Sequence, residues 1–167
     1  MLPTIRWDAD LIRRYDHAGP RYTSYPTAVQ FHDGVKPADF LHAIDASREA
    51  GRQLSLYVHV PFCANICYYC ACNKVITKDR SRSREYLASL QREMELISAH
   101  LGPDQVVEQL HFGGGTPTFL SHQELRELMA GLRSRFSLRD DDIGDYSIEI
   151  DPREADYSRL SQLLGDS

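Results

Sequence analysis

Residues 54–72 read Leu-Ser-Leu-Tyr-Val-His-Val-Pro-Phe-Cys-Ala-Asn-Ile-Cys-Tyr-Tyr-Cys-Ala-Cys. The first seven alternate, with Leu54, Leu56, Val58 and Val60 on one side and Ser55, Tyr57 and His59 on the other. A period of two is the signature of a strand with one face against a core. Pro61 then stops the ladder, and all four cysteines of the 167-residue chain follow within ten residues, spaced C-x3-C-x2-C-x-C. A cysteine-rich loop leaving the end of a strand is where α/β proteins place chemistry. Tyr57 and His59 point toward that loop or are ordinary hydrogen-bonded strand residues.

Four thiols so close together have three readings. Disulfides suit an oxidising compartment, and bridges inside so short a loop stabilise little beyond the loop itself. A structural zinc ion draws two ligand pairs from two places, and no second Cys or Cys/His pair occurs in the chain. An iron–sulfur cluster is the third, although the bacterial ferredoxin run C-x2-C-x2-C-x3-C differs from this one. Here an x3-x2 triplet stands together, and Cys72 follows too closely to reach a fourth iron corner easily. Three thiolates on a four-iron cluster leave one metal position open to a substrate.

Working outward, Val106–Phe112 reads as a second strand running into Gly113-Gly114-Gly115-Thr116-Pro117-Thr118. Successive glycines let a ligand approach the backbone and free the amides for it. The run departs from the dinucleotide fingerprint, with Thr118 at the third glycine, and lacks the Gly-Lys-Ser/Thr of a phosphate loop. A tight turn is the plain alternative. Tyr146–Ile150 reads as a third strand. If Tyr146, Ile148 and Ile150 face helices, Glu149 faces inward, and a buried carboxylate needs a hydroxyl or an ammonium beside it; otherwise Glu149 faces solvent.

Helical spacing predicts helices over Asp8–Tyr15, Pro37–Ala50, Ser83–His100 and from Ser121, where Ser121-x-x-Glu124 is a capping box. Another is expected from Ala155. Met94 reads as core; His42 and His122 read as surface residues. Lys78–Arg84 and Arg139–Asp145 read as solvated loops. Arg21–Thr27, aromatic and closed by Pro26, reads as an extended arm. Strands alternating with helices favour a parallel α/β sheet with right-handed crossovers.

The net charge of −5 and a pI near 5.8 argue against general nucleic-acid binding. No apolar run approaches membrane-spanning length. An acidic chain without a signal-peptide pattern is expected in the cytoplasm, and a monomer is expected.

Tyr57-x-His59-x-Pro61-Phe62-Cys63-x3-Cys67-x-Tyr69-Cys70-x-Cys72 resembles the radical S-adenosylmethionine (SAM) enzymes. The triplet alone points to the superfamily. Cys72 and the upstream Pro20-Arg21-Tyr22-Thr23-Ser24-Tyr25-Pro26-Thr27 make the chain similar to the oxygen-independent coproporphyrinogen III oxidases of haem biosynthesis, from about Trp7 to Glu154. The resemblance implies an α/β fold that is a partial (β/α) barrel of radical SAM type. This chain would hold the first three βα units behind an N-terminal arm. Residues 1–52 would be arm and helices, and 53–167 the start of the catalytic domain, cut before the fourth strand. It implies a [4Fe-4S] cluster on Cys63, Cys67 and Cys70, with Cys72 unassigned. It places SAM, or two SAM molecules, among Tyr57, Tyr69, Gly114, Gly115, Thr116 and Glu149. It implies coproporphyrinogen III as substrate, with propionates becoming vinyl groups through a SAM-derived radical, and an external electron donor. Arg21 would meet a propionate, since guanidinium forks suit carboxylates. A zinc-stabilised module, a simple electron carrier and a related haem chaperone are the competing readings; the Cys72 position and the arm speak against the last.

Overall fold

The computed structural model describes residues 7–17, 26–68, 70–141 and 143–154. Arg21–Tyr25 of the expected arm, Tyr69, and the helix expected from Ala155 lie outside the described residues. The contacts divide the chain into two compact units between Lys36 and Pro37. In the first, helix α1 (Ala9–Tyr15) opens on Asp8, whose carboxylate accepts from the amides of Asp10 and Leu11 at 3.0 and 2.9 Å. Such a cap satisfies donors that the first turn leaves without partners. A short 3-10 turn, Ala28–Gln30, follows.

The second unit begins with helix α2 (Pro37–Glu49), with proline in the first turn, where its missing amide costs nothing. The main sheet is parallel. Strand β1 (Leu54–Val60) pairs along its length with β4 (Val106–Gly114), whose other edge carries β5 (Ser137–Leu138) and then β6 (Asp145–Ile148). Helix α3 (Arg82–Ser98) connects β1 to β4, and helix α4 (His122–Arg135) connects β4 to β5 and β6. Strand order following chain order is that of a (β/α) barrel begun and not closed.

Register fixes which side chains share a face. Leu56 pairs with Leu110 and Val58 with Phe112; Leu110 and Phe112 pair in turn with Tyr146 and Ile148. This face meets α3 and α4. Val60, Val107, Leu110, Leu120, Leu128 and Leu132 are almost fully buried there, and Met94 from α3 packs among them. Leu128 is 0% exposed. Leu128→Ala is expected to cost about 2–5 kcal/mol, since a deleted core side chain loses its burial and leaves a void. The check is a lower urea midpoint at unchanged slope.

The opposite face is polar. One row across it is Tyr57, His111, Ser147, and Glu149 follows Ser147 on the same side.

Several local features differ from the sequence reading. Phe62–Cys63 (β2) and Val75–Ile76 (β3) form a separate two-stranded parallel pair that clasps the base of the cysteine loop. Phe62 lies stacked on Phe119 at 5.2 Å and edge-on to Tyr86 at 5.6 Å. The third expected strand ends at Ile148, although the Glu149 amide still donates to the Phe112 carbonyl at 2.9 Å. In the 78–84 stretch, Arg80 lies 4.4 Å over the Phe119 ring and donates to its carbonyl. Ser83, in the first turn of α3, is buried and donates to Glu124 at 2.5 Å, while the other residues of 78–84 are exposed as expected. His122 is half-buried, because the first turn of α4 lies against the domain.

Candidate cofactor site

Two turns leave the carboxyl ends of β1 and β4 side by side, as parallel α/β folds arrange their ligand crevices. They are locked backbone to backbone: the Gly115 amide donates to Val60 and the Thr116 amide to Phe62, each at 2.8 Å. The Gly114 amide donates to the Glu149 carboxylate at 3.1 Å. The glycine run therefore differs from the expectation of free amides. All three are used within the protein, and the missing side chains serve close approach. A Cβ on Gly115 would lie 2.7 Å from the Phe62 carbonyl oxygen; one on Gly114 would lie 2.6 Å from the His59 ring. Gly114 also holds a φ of 109°, which other residues rarely adopt.

Beyond these ends lies a cavity of about 610 Å³. Small-molecule sites span roughly 300–1,000 Å³. Cys63, Cys67, Cys70 and Cys72 all border it, with Gly114, Gly115, Thr116 and Glu149. Thus seven of the nine expected site residues meet in one hollow. Tyr57 stands below it on the polar face, and Tyr69 lies outside the described residues.

Each cysteine has its own surroundings. Cys63 is buried, and Thr116 donates its hydroxyl to the sulfur at 3.6 Å. Arg153 donates to the Cys67 sulfur at 3.0 Å. The Cys70 thiol is held below its ordinary pKa, first by the amide of Cys72, then by the Cys72 thiol and by Lys74. Cys72, exposed, is pushed the other way, first because it donates to Cys70 and then by burial and the Cys70 charge. Lys74 also ties the loop by donating to the carbonyls of Cys70 and Cys72 at 3.1 and 3.4 Å. Among the described residues no three His, Cys, Asp or Glu side chains converge as a single ion would require.

The polar face below carries a hydrogen-bond chain whose directions follow from its ends. The Asn73 carbonyl can only accept, so His59 donates to it through Nε2 (2.8 Å) and accepts the Tyr57 hydroxyl at Nδ1 (3.0 Å). Burial raises the Tyr57 pKa, and the Glu149 charge adds to it. The Tyr57 ring stacks on His111 at 5.7 Å. His111 lies 3.4 Å from Glu149 through Nε2 and 2.7 Å from the Ser147 hydroxyl through Nδ1. If Nε2 carries the proton toward the carboxylate, Nδ1 accepts from Ser147.

His111, Lys74 and Arg153 are the residues sequence reasoning missed. Alternation along β4 puts His111 opposite Leu110, and that signal was available. Its place between Tyr57 and Glu149 depends on register. Lys74 and Arg153 sit in irregular turns that carry no periodic signal.

The sequence profile of the radical SAM superfamily matches residues 57–163. The oxygen-independent coproporphyrinogen III oxidase of Pseudomonas aeruginosa is 73% identical over 98% of this chain and 35% of its own length. That of Mannheimia haemolytica is 48% identical over 89% of this chain and 98% of its own length. The solved coproporphyrinogen III oxidase of Escherichia coli, described as a radical SAM enzyme, superposes with a TM-score of 0.80 at 40% identity, over 98% of this chain and 35% of that one. The chain thus spans about a third of the length of most of the curated relatives it matches. The cysteine loop and the glycine turn both fall inside the matched region, on strands shared with a solved radical SAM enzyme: the chain belongs to the radical SAM superfamily, among the oxygen-independent coproporphyrinogen III oxidases.

Proposed function

We propose that this chain carries the cluster- and SAM-binding part of an enzyme that oxidatively decarboxylates coproporphyrinogen III, turning two propionates into vinyl groups to give protoporphyrinogen IX. The relatives that share its sequence are coproporphyrinogen III oxidases, which supports that substrate. The observation that carries the reading is the shared cavity. Four reduced cysteines, a glycine turn and a half-exposed carboxylate border one hollow at the carboxyl ends of parallel strands.

The donor set fits the cofactors. Thiolates are the soft ligands that iron–sulfur clusters take. In this reading Cys63, Cys67 and Cys70 would hold a [4Fe-4S] cluster, with SAM bound beside it. The cluster would supply the one electron that reductive cleavage of the SAM sulfonium requires. Glu149 keeps acceptor positions beyond those used by Gly114 and His111, enough for a ribose hydroxyl or an ammonium. Gly114 and Gly115 give SAM a surface without side-chain bulk, and Thr116 beside them turns its hydroxyl to Cys63. Tyr57 offers its ring, its hydroxyl being committed to His59. Tyr69, between Cys67 and Cys70 in the sequence, is assigned to the cofactor by the family resemblance alone. The protein's work is to orient these groups and exclude water and oxygen. In this reading the electron comes from a donor outside the chain and the setting is the cytoplasm. Separately, no described helix is long and apolar enough to cross a membrane.

The test is anaerobic reconstitution with iron and sulfide, then incubation with SAM and dithionite and chromatography for 5′-deoxyadenosine. It is run on this chain and on a protein of the relatives' full length. A cluster is expected in both, and SAM cleavage in the longer. A colourless full-length protein carrying one zinc ion, or a cluster that cycles without consuming SAM, refutes the reading.

A further inference from the structure

We propose that Arg153 is a positioning residue for the middle cysteine, compensating charge at Cys67 and raising the reduction potential of the cluster. The inference rests on the reading of Cys67 as a cluster ligand and adds a residue to it.

Arg153 is fixed independently of the cysteine. Its Nε lies 2.9 Å from one oxygen of Asp151 and its Nη2 2.6 Å from the other, a two-point grip suited to a planar guanidinium. The Asp151 side chain is only 13% exposed, and its carboxyl is held below the ordinary carboxylate range, chiefly by Arg153. The backbone amide of Arg153 donates to the same carboxylate at 3.0 Å. A second tie, two residues before Cys67 in the loop, runs from Asn65 to Glu154 at 2.6 Å. The 151–154 turn therefore holds the cysteine loop at two points, across 86 and 89 residues of sequence. Nη2 is thereby aimed at the Cys67 sulfur, 3.0 Å away.

A cluster becomes one unit more negative when it accepts an electron. A cation hydrogen-bonded to a ligand sulfur favours that form, and potentials follow net charge and such hydrogen bonds. Among the described residues Arg153 and Lys74 are the two cations bordering the cavity, one beside Cys67 and one beside Cys70. Arg153 is thus placed to ease entry of the electron on which the proposed chemistry depends.

The experiment is a potentiometric titration of the reconstituted cluster, followed by electron paramagnetic resonance, with iron counted per chain. It compares the parent chain, Arg153→Gln, Arg153→Lys and Asp151→Asn. Arg153→Gln is expected to keep its iron and lower the reduction equilibrium roughly tenfold, a negative shift of about 59 mV for one electron. Arg153→Lys is expected to recover part of the shift, since it restores charge without the fork. Asp151→Asn, which loosens the tether and leaves the guanidinium, is expected to shift the potential less than Arg153→Gln. Should Arg153→Gln lose its iron, the comparison of Arg153→Lys and Asp151→Asn with the parent decides. Arg153→Gln with full iron at the parent potential overturns the inference and leaves the cluster reading standing. Where Arg153→Gln has lost its iron, Arg153→Lys and Asp151→Asn both at the parent potential overturn it as well. A parent chain that takes up no iron overturns the cluster reading itself.

Discussion

Cys63→Ser, Cys67→Ser and Cys70→Ser are each expected to leave the reconstituted chain without its iron chromophore, while Cys72→Ser keeps it. The four sulfurs border one cavity, so proximity alone does not separate them. Their surroundings do. Cys63 is buried at the end of β2 and takes the Thr116 hydroxyl. Cys67 takes the Arg153 guanidinium, and Cys70 is held toward its thiolate form by the Cys72 amide and thiol and by Lys74. Cys72 is exposed, and its pKa is pushed upward, first through its hydrogen bond with Cys70. A serine at that position still donates a hydrogen bond, which is all the structure asks of it. A serine hydroxyl at the other three is a poor ligand for iron, because it neither ionises near neutral pH nor offers a soft donor. Removing even an outer partner of a metal ligand costs about 10–100-fold in affinity, so loss of a ligand is expected to cost more than about tenfold. Iron and sulfide per chain and visible absorption, measured without oxygen, check the set. A Cys72→Ser protein that binds no iron, beside a Cys63→Ser protein that still does, reverses the assignment.

The parts of the fold legible beforehand were those whose signal is periodic. Leu54–Val60 alternates over seven residues, and its face was readable because every second side chain is apolar. Helix α3 was readable because Tyr86, Leu87, Leu90, Met94 and Ile97 recur at helical spacing. Ser121 and Glu124 cap α4 through the reciprocal bonds their spacing predicts. What escaped was short or dependent on register. Strands β2, β3 and β5 have two residues each, too few to show a period. The Tyr57–His111–Ser147 row exists only because Tyr57 pairs with His111 and His111 with Ser147, and one sequence does not state pairings. The same gap explains the glycine turn. Its location was plain, yet the sequence does not reveal that Val60 and Phe62 take up the Gly115 and Thr116 amides. Arg153 illustrates the limit most clearly, since its contact with Cys67 crosses 86 residues of chain.

Gly115→Ala is expected to destabilise the unit and strip it of iron together. An added Cβ would meet the Phe62 carbonyl oxygen at 2.7 Å, and the carbon and oxygen of the Pro61 carbonyl at 2.8 Å. All three are backbone atoms, so no side chain can swing aside. Relief requires the ends of β1 and β4 to separate, lengthening the Gly115–Val60 and Thr116–Phe62 hydrogen bonds, both now 2.8 Å. Overpacking of this kind costs about 1–3 kcal/mol, and each of the two weakened hydrogen bonds adds about 0.5–1.5 kcal/mol, giving a loss of about 2–6 kcal/mol. The damage lands where function is proposed, because Pro61 and Phe62 lead directly into Cys63. Gly51→Ala is the control. Gly51 has a φ of 64°, and nothing lies within 4 Å of its would-be Cβ. That substitution is expected to cost only the left-handed strain of about 1–2 kcal/mol. It should leave the iron content at the parent level, since Gly51 precedes β1 at the other end of the sheet. Urea unfolding and iron analysis on the two variants separate general weakening from a lesion at the site. A Gly115→Ala chain with parent stability and full iron would mean that the two strand ends are not locked as these contacts describe, and the cavity built on that lock would go with it.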